Sequence, residues 1–547
     1  VDADRLALEN LDRWWVFYRK GLITRRELFQ AVLAAGTAMG AAALPAPADV
    51  HAGAFPIEPA AAAAAKDTIT LHLNSDLPNL DPHMHALREE IITMYHMFNN
   101  LGTRDLKTMK IGPDLATAWK IVSPTVWEMD LRQGVKFHNG DLFTAETVKF
   151  NYDRVLNPAE KSPQRGNHEA IDGVEVLGPY KVRIVTKRPY PIFVERLQNF
   201  QMVPEKYVKD KGDAYVAEHP VGTGPYKFVD WKRGAEINVV RNDDYWGPKP
   251  AIPHAKFRII TDVATAVAEL LAGNVDIVRY VPTDQIATIN RSGRAVARIQ
   301  RILRVEYAAL DAAGRSGVTP FQDKRVRQAA NYAIDADLYI KRLQPGGDRT
   351  PAALNPMHFG FDPSIPNYSH DPDRAKKLLT EAGYKNGFDA RWLTSNLGMP
   401  SFQNVYDAMA QDLGSVGIRT KQQFIQASQT LLDLITSGKA GPMYSFSWGS
   451  YSVFDADGLY YDCFHPSSNL SYWHHPRFAE LIEAGRATID PDLRKRLYSA
   501  AQKIVHEEAP VIFLWGYHSV FGASTAIDWT PEPDEIVRLY NVKPHQA

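Results

Sequence analysis

Residues Asp67 to Asn74 alternate apolar and polar, with Ile69, Leu71 and Leu73 against Thr70, His72 and Asn74. That is the period of a β-strand. Trp127, Met129 and Leu131 alternate with Glu128, Asp130 and Arg132 to predict a second strand, closed by Gly134 and followed by a tight turn at Asn139-Gly140. Thr144 is placed to cap a helix running toward Leu156. Tyr180 to Thr186 reads as another strand, and Gly222 to Val240 as a hairpin turning near Arg233-Gly234. Helices and strands then alternate. A helix over Thr265 to Ala272 stops at Gly273, and Val275 to Val278 is a short buried strand. Asp323 to Ile340 carries a helical stripe through Val326, Ala329, Ala333 and Ile334. Asp371-Pro372 and Asp490-Pro491 each set an N-cap acid before a proline at the first helical position. The first of these helices stops at Gly383, and the second is expected to bury Leu493, Leu497, Ala501 and Val505. Such mixed elements predict α/β lobes rather than a bundle or a sandwich.

Composition narrows the class. The chain has 547 residues, 45% hydrophobic and 23% charged, the balance of a soluble globular protein. A net charge of -1 leaves no electrostatic footprint for nucleic acid. Aromatic residues reach 11%, part core and part available to a ligand site. Cys463 is the one cysteine, which excludes an intrachain disulfide and a multi-cysteine metal cluster. It reads as a small buried hydrophobe.

Residues 1–65 read as an address and a linker. Thr24-Arg25-Arg26-Glu27-Leu28-Phe29 resembles a twin-arginine export signal, and an Ala-rich apolar run, Ala31 to Leu44, follows it. Small-residue sites at Ala46-Pro47-Ala48 and Ala52-Gly53-Ala54 place cleavage after Ala48 or Ala54. An uncleaved membrane anchor is the alternative. With no cysteine at the signal's end, the expectation is a periplasmic protein that is not a lipoprotein.

The mature chain, from about Lys66, resembles the family 5 extracellular solute-binding proteins, the dipeptide-, oligopeptide- and nickel-binding components of ABC importers. The motifs fall in the family's order. They are Leu80-Asp81-Pro82-His83, Pro113-Asp114-Leu115-Ala116-Thr117-Ala118-Trp119, and the run Leu131 to Gly140. Next come Val221-Gly222-Thr223-Gly224-Pro225-Tyr226, Arg241 to Gly247 and Arg325 to Ala329. Asp373 to Leu379 and Ala509-Pro510-Val511-Ile512 close the series. Gly222 and Gly224 also make sense unaided, as positions where backbone approaches a neighbour closely. The resemblance implies the type II, cluster C periplasmic-binding-protein fold. Its first lobe would comprise 66–105, 221–304 and 514–547, with a subdomain inserted over 106–220, and its second lobe 305–513. It implies a monomer that passes a peptide, opine-like or other small solute to an inner-membrane ABC permease, without a cofactor. A secreted hydrolase or a chaperone-like protein using the same cleft is the competing reading.

Candidate chemistry is sparse. His83 and His85 form a histidine pair short of the three or four ligands of a metal site, and the resemblance places them at the cleft. Arg88 is a candidate for an anionic group. No Gly-x-Ser-x-Gly nucleophile motif occurs. Asp455 and Asp457 are two apart on one loop, a spacing that more often sets a turn than flanks a glycosidic bond. The most informative segment leads from an apolar strand, Met443 to Phe446, into a Trp-Gly corner. Trp448 offers a rigid face, Gly449 a close backbone approach, and Ser450, Tyr451 and Ser452 polar contacts, with Asp455 beyond. Tyr307, Met357, Phe361, Trp392 and Asn396 are placed near the cleft by the same resemblance. Dipeptide-binding relatives set an acid shortly after the loop tryptophan, against the peptide's ammonium. Here that position falls on Tyr451, so the ligand's amine is not expected to be held there.

Overall fold

The computed structural model describes residues 66–85, 87–105, 107–344, 346–395, 402–426, 428–449 and 453–545. The export signal and linker expected over 1–65 lie outside the described residues. In chain order the first elements are β1 (Thr68–Leu73), α1 (Arg88–Met97), β2 (Ala116–Ser123), β3 (Val126–Leu131), α2 (Ala145–Leu156), β4 (Ile171–Gly178) and β5 (Lys181–Thr186). Next come β6 (Tyr226–Lys232), β7 (Glu236–Arg241), β8 (His254–Ile259), α3 (Val263–Ala272), β9 (Ile277–Val278) and the long β10 (Ala295–Leu310). After it run α4 (Lys324–Ala333), α5 (Ala336–Leu343), α6 (Pro372–Glu381), β11 (Phe388–Thr394), α7 (Phe402–Val416), β12 (Ile418–Phe424) and β13 (Met443–Trp448). The last are α8 (Pro476–Ala487), α9 (Pro491–Glu508) and β14 (Val511–Ser524).

Most strands join one mixed sheet of eleven, in the order β12-β11-β13-β10-β14-β9-β1-β8-β7-β6, with Asp348–Arg349 also paired to β14. β10 and β14 run antiparallel through its middle. Ala295 to Arg301 pairs with His518 to Ser524, and Val305 to Ala309 with Val511 to Gly516. The register shifts between these two stretches, at Arg301 to Val305. On one side of that irregularity lie β9, β1, β8, β7 and β6, over a core that includes Ile69, Leu71, Met94, Tyr226 and Phe257. On the other lie β13, β11 and β12, with cores around Phe446, Tyr460 and Tyr498 and around Trp392, Tyr406 and Trp515. A separate antiparallel sheet, β2-β3-β5-β4, shares a core with α2, in which Tyr152 of the helix joins Trp127, Met129 and Ile184 of the strands.

Local signals act as their chemistry dictates. Asp262 accepts from the Thr265 N–H at 2.7 Å to start α3, which ends at Gly273 with φ +84. Asp490 accepts from the Asp492 and Leu493 N–H groups at the head of α9. A Cβ on Gly222 would lie 2.1 Å from the Met97 carbonyl oxygen, and one on Gly224 2.5 Å from the Met97 carbonyl carbon, so neither position admits a side chain.

The strand expected over Asp67 to Asn74 is β1, and its polar positions are covered too, Thr70 and His72 being 7% and 1% exposed. β1 lies between β8 and β9 in the sheet interior, where both faces are covered. The stripe over Asp323 to Ile340 is two helices, α4 and α5, because Asp335 accepts from the Leu338 N–H at 2.9 Å and starts a second one. The buried face of α9 is Arg494, Tyr498, Ala501, Gln502 and Val505, while Leu493 is 37% exposed. The face turns because Arg494 is drawn inward by a carboxylate described below.

Candidate ligand-binding site

β13 carries Trp448 and Gly449 out of the sheet toward β10 and α1. Trp448 stacks on Phe446 at 5.9 Å between centroids and donates its indole N–H to the Gly458 carbonyl at 2.7 Å. That fixes the ring while leaving it partly exposed. Gly449 sits against a buried charge cluster. A Cβ there would lie 3.2 Å from Arg88 Nη2 and 3.3 Å from both Arg304 Nη2 and Glu535 Oε2. Arg88 pairs with Glu535 at 3.5 Å, Arg304 with the same acid at 3.6 Å, and Arg279 with Glu89 at 2.9 Å. Burial alone would raise the Glu535 pKa, but Arg304, Arg88 and Arg279 outweigh it and hold the carboxyl below its usual range. Arg88 is thus part of an ion network under the Trp-Gly corner.

Beyond the corner, Val453 packs into the core of the β2-β3-β5-β4 unit, and the Arg104 guanidinium lies 4.3 Å over the Phe454 ring. Asp455 then turns inward to Arg494 at 2.8 Å and accepts from the Asp457 N–H at 3.0 Å. Asp457 pairs with Arg486 at 3.0 Å. Burial, only partly offset by Arg494, pushes the Asp455 carboxyl up to about 6. Asp455 is 3% exposed, so it shapes the loop rather than meeting a solute.

Next to Trp448 opens a cavity of about 350 Å³, within the range of small-molecule sites. One wall comes from Pro163 to Arg196 of the β2-β3-β5-β4 region, the other from Trp448, Tyr461, Asp462, Leu470 and Arg486. Tyr190 supplies an aromatic face on the first wall, and Tyr461 lies under the Arg486 guanidinium at 3.2 Å on the second. Two opposite charges face this space. Arg196 is 6% exposed and donates from Nη1 to Asn167 Oδ1 at 2.8 Å. Asp462 is half-buried, and its carboxyl is pushed up to about 6, by burial first and against the pull of Arg196.

Several residues expected at the cleft sit elsewhere. His83 is 1% exposed, stacked on Phe200, with its ring nitrogens taken by the Gln201 carbonyl and Arg154 at 3.1 Å each. It braces β1's loop against α2, and burial lowers its pKa to about 4. His85 is 2% exposed and borders only a chamber of about 10 Å³, the size of one water, behind Arg196. Tyr307 and Trp392 are core residues, 3% and 0% exposed; Trp392 donates to Ser445 Oγ at 3.0 Å. The strand pattern could not distinguish such packed aromatics from cleft aromatics. Met357 and Phe361 are half-buried, on the segment that runs past Phe359 and its bridge to Asp455. Asn396, Ser450, Tyr451 and Ser452 lie outside the described residues. Among the described residues no group of three or more His, Cys, Asp or Glu is placed to hold a metal. Sequence reasoning missed Tyr190, Arg196, Asp462 and Arg486. Tyr190, Arg196 and Asp462 lie in irregular or short helical stretches and Arg486 near the end of α8, none with a motif to mark it.

The description "Bacterial extracellular solute-binding proteins, family 5 Middle" matches residues 110–471. The glutathione-binding protein GsiB of Pectobacterium atrosepticum is 28% identical over 467 residues, 82% of this chain and 88% of that protein. The periplasmic binding protein AgaA of A. tumefaciens R10, solved with agropinic acid, superposes with a TM-score of 0.76 at 25% identity, over 88% of this chain and 99% of that one. DppA of Helicobacter pylori, solved with the peptide STSA, superposes with a TM-score of 0.78 at 24% identity, over 88% and 98%. The fold is the mixed α/β cluster C type over nearly the whole described chain.

Proposed function

The chain belongs to the bacterial extracellular solute-binding proteins, family 5, and on that premise we propose that it captures a peptide or peptide-like small solute between two lobes and delivers it to the inner-membrane permease of an ABC importer. Membership makes it the solute-binding component of such an importer, a binding protein and not an enzyme, which sets the hydrolase reading aside. The lobes we assign are 66–105, 221–304 and 514–547, with 106–220 inserted, and 305–513. The observation that carries the reading is the cavity beside Trp448, whose two walls come from the inserted region and from the second lobe. A solute there touches both at once, so it favours the arrangement in which they meet. The peptide, glutathione and agropinic acid named for the relatives point to peptides and opine-like conjugates.

We place the working protein in the periplasm as a monomer, exported by the twin-arginine route through Arg25-Arg26. Changing both arginines to lysine is expected to strand precursor in the cytoplasm; an unchanged periplasmic yield overturns the route. The capture itself is tested by native mass spectrometry of protein purified without unfolding. One solute per chain, recovered chemically intact after prolonged incubation, is expected. Conversion of the solute into a product would contradict pure binding.

A further inference from the structure

We propose that the inserted region carries a second site, which receives a phosphate group in a basic hollow lined by Lys161, Arg165, Lys187 and Arg188. The hollow measures about 550 Å³, and every residue lining it falls between Pro158 and Arg188. It shares only Gly166, Glu169 and Ala170 with the cavity beside Trp448 and takes nothing from the second lobe. Three stretches build it: the turn after α2, the residues before β4 and those after β5. Each is pinned. Asn157 Oδ1 accepts from the Ala159 N–H at 3.1 Å to start the turn, and the buried Ser162 donates to the His83 carbonyl at 2.5 Å. The Lys187 N–H donates to the Ala170 carbonyl at 2.9 Å, and Thr186 Oγ1 to the Arg188 carbonyl at 2.7 Å. Lys161 sits at φ +51, a left-handed backbone that is unfavourable for a residue with a side chain.

Four cations and one acid, Glu169, line this hollow, in a chain whose net charge is -1. Lys161, Arg165 and Lys187 have no carboxylate within 4.0 Å among the described residues, and Arg188 reaches Glu169 only at 3.9 Å. The neighbouring acid Glu160 does not line the hollow; it accepts from the Asn157 amide at 3.3 Å. Two of the cations are held in place by neutral oxygens. Arg165 Nε donates to the Leu156 carbonyl at 3.1 Å, and Lys187 Nζ to the Glu169 carbonyl at 2.8 Å. Those bonds orient the side chains without compensating their charge. Arg188 Nε and Nη2 are enclosed without an acceptor. Like charges gathered in one concavity repel each other and concentrate a field that draws an anion in. A phosphate group brings about two negative charges and three oxygens, enough to meet an arginine fork and two ammonium groups together. A carboxylate brings one charge and two oxygens, and leaves cations over. Because the hollow lies within one region, it is complete without lobe closure and stands apart from the capture of a solute.

The test is calorimetry on the purified protein with inorganic phosphate, glycerol 3-phosphate and acetate at one ionic strength, beside sedimentation with phosphatidylcholine vesicles that contain or lack phosphatidic acid. The soluble phosphates are expected to bind one per chain, with acetate weaker by about tenfold or more. Lys161→Gln and Arg188→Gln should each weaken phosphate by about tenfold, the worth of a charge-assisted hydrogen bond. Lys206→Gln, which removes an exposed cation outside the hollow, should leave binding unchanged. The vesicles separate the sources of the group. Retention by phosphatidic acid alone, lost in the same two variants, makes it a lipid headgroup; soluble binding without vesicle retention makes it a free phosphate or its ester. Failure of both assays, acetate binding as tightly as phosphate, or binding that Lys161→Gln and Arg188→Gln leave intact overturns the proposal. Small-angle scattering adds a readout that distinguishes this site from solute capture. Phosphate should leave the radius of gyration unchanged; contraction would mean that it binds between the lobes as a solute, and would end the proposal while leaving capture standing.

Discussion

Glu306 stands on β10, 2% exposed, with Oε1 accepting from the Tyr406 hydroxyl at 3.0 Å and Oε2 from the Tyr517 hydroxyl at 2.7 Å. Burial pushes its carboxyl up to about 8, more than those two bonds and Arg304 pull it down. Below about pH 4.5 the group is protonated in folded and unfolded chains alike, so it adds no pH dependence. Between 4.5 and 8 the unfolded chain gives up a proton that the folded one keeps, so stability falls as pH rises. Above that window the loss is complete and constant. Glu306→Gln keeps the shape and cannot ionise. Its melting temperature is expected to match the wild type at pH 4.5 and to exceed it increasingly up to pH 8, by about 2–4 kcal/mol of stability. An equal gap at pH 5 and pH 9 would mean that Glu306 is ionised in the fold throughout. Such residues were not legible in the chain. Glu306 alternates with apolar neighbours as a surface acid would, and only the sheet above it shows that both of its faces are covered. The same blindness explains His83, Tyr307 and Trp392. A polar or aromatic side chain in a sequence does not reveal whether it meets solute, solvent or another wall of the protein.

At the scale of elements, far more was readable, because capping and turn chemistry act locally. Thr144, Asp371 and Asp490 start the helices they were expected to start, and Gly273 ends one. What failed were inferences that need a partner from elsewhere. The buried face of α9 is set by Asp455, thirty-nine positions away, which pulls Arg494 inward and turns Leu493 out. The break between α4 and α5 depends on one acid, Asp335, outcompeting an apolar stripe that continues past it. Gly222 and Gly224 were rightly read as sites of close backbone approach, since spacing and type alone imply it. Both lie against the end of α1, where the Gly224 N–H donates to the Met97 carbonyl at 2.9 Å. A methyl there has nowhere to go, since the obstructing atoms are backbone. Gly224→Ala should therefore cost about 1–3 kcal/mol, the range of forced overpacking. Urea denaturation would show it as a lower midpoint at unchanged slope. A variant as stable as the wild type would mean that the end of α1 is free to shift.

At the scale of the whole molecule, the question is what moves. β10 and β14 are the two chain segments that run through both halves of the large sheet, and their pairing is irregular where Arg301 to Val305 passes His518 to Gly516. An irregular ladder with fewer paired groups is where a rotation costs least, so we expect the two halves to turn about this stretch. In the arrangement seen, Gly449 at the end of β13 lies so close to Arg88, Arg304 and Glu535 that a Cβ there would come within 3.2–3.3 Å of each, and Phe454 lies under Arg104. A solute that bridges the walls of the cavity adds a further link between the segments that carry them. Solute should therefore reduce the radius of gyration in small-angle scattering. It should also raise the melting temperature with concentration, by about 2.7 kcal/mol of stability at a hundred times Kd. Gly449 gives a way to separate closure from affinity for one wall. An alanine Cβ at 3.2–3.3 Å meets only the flexible ends of three side chains, which can yield. Leucine is too long to be accommodated there. Gly449→Leu should fold with an unchanged melting temperature when empty, keep the larger radius when solute is added, and bind about tenfold more weakly or worse, because only the open form remains to bind. Should this variant contract on solute addition as the wild type does, Gly449 is not at the closing contact, and the turning stretch must lie elsewhere than at Arg301 to Val305.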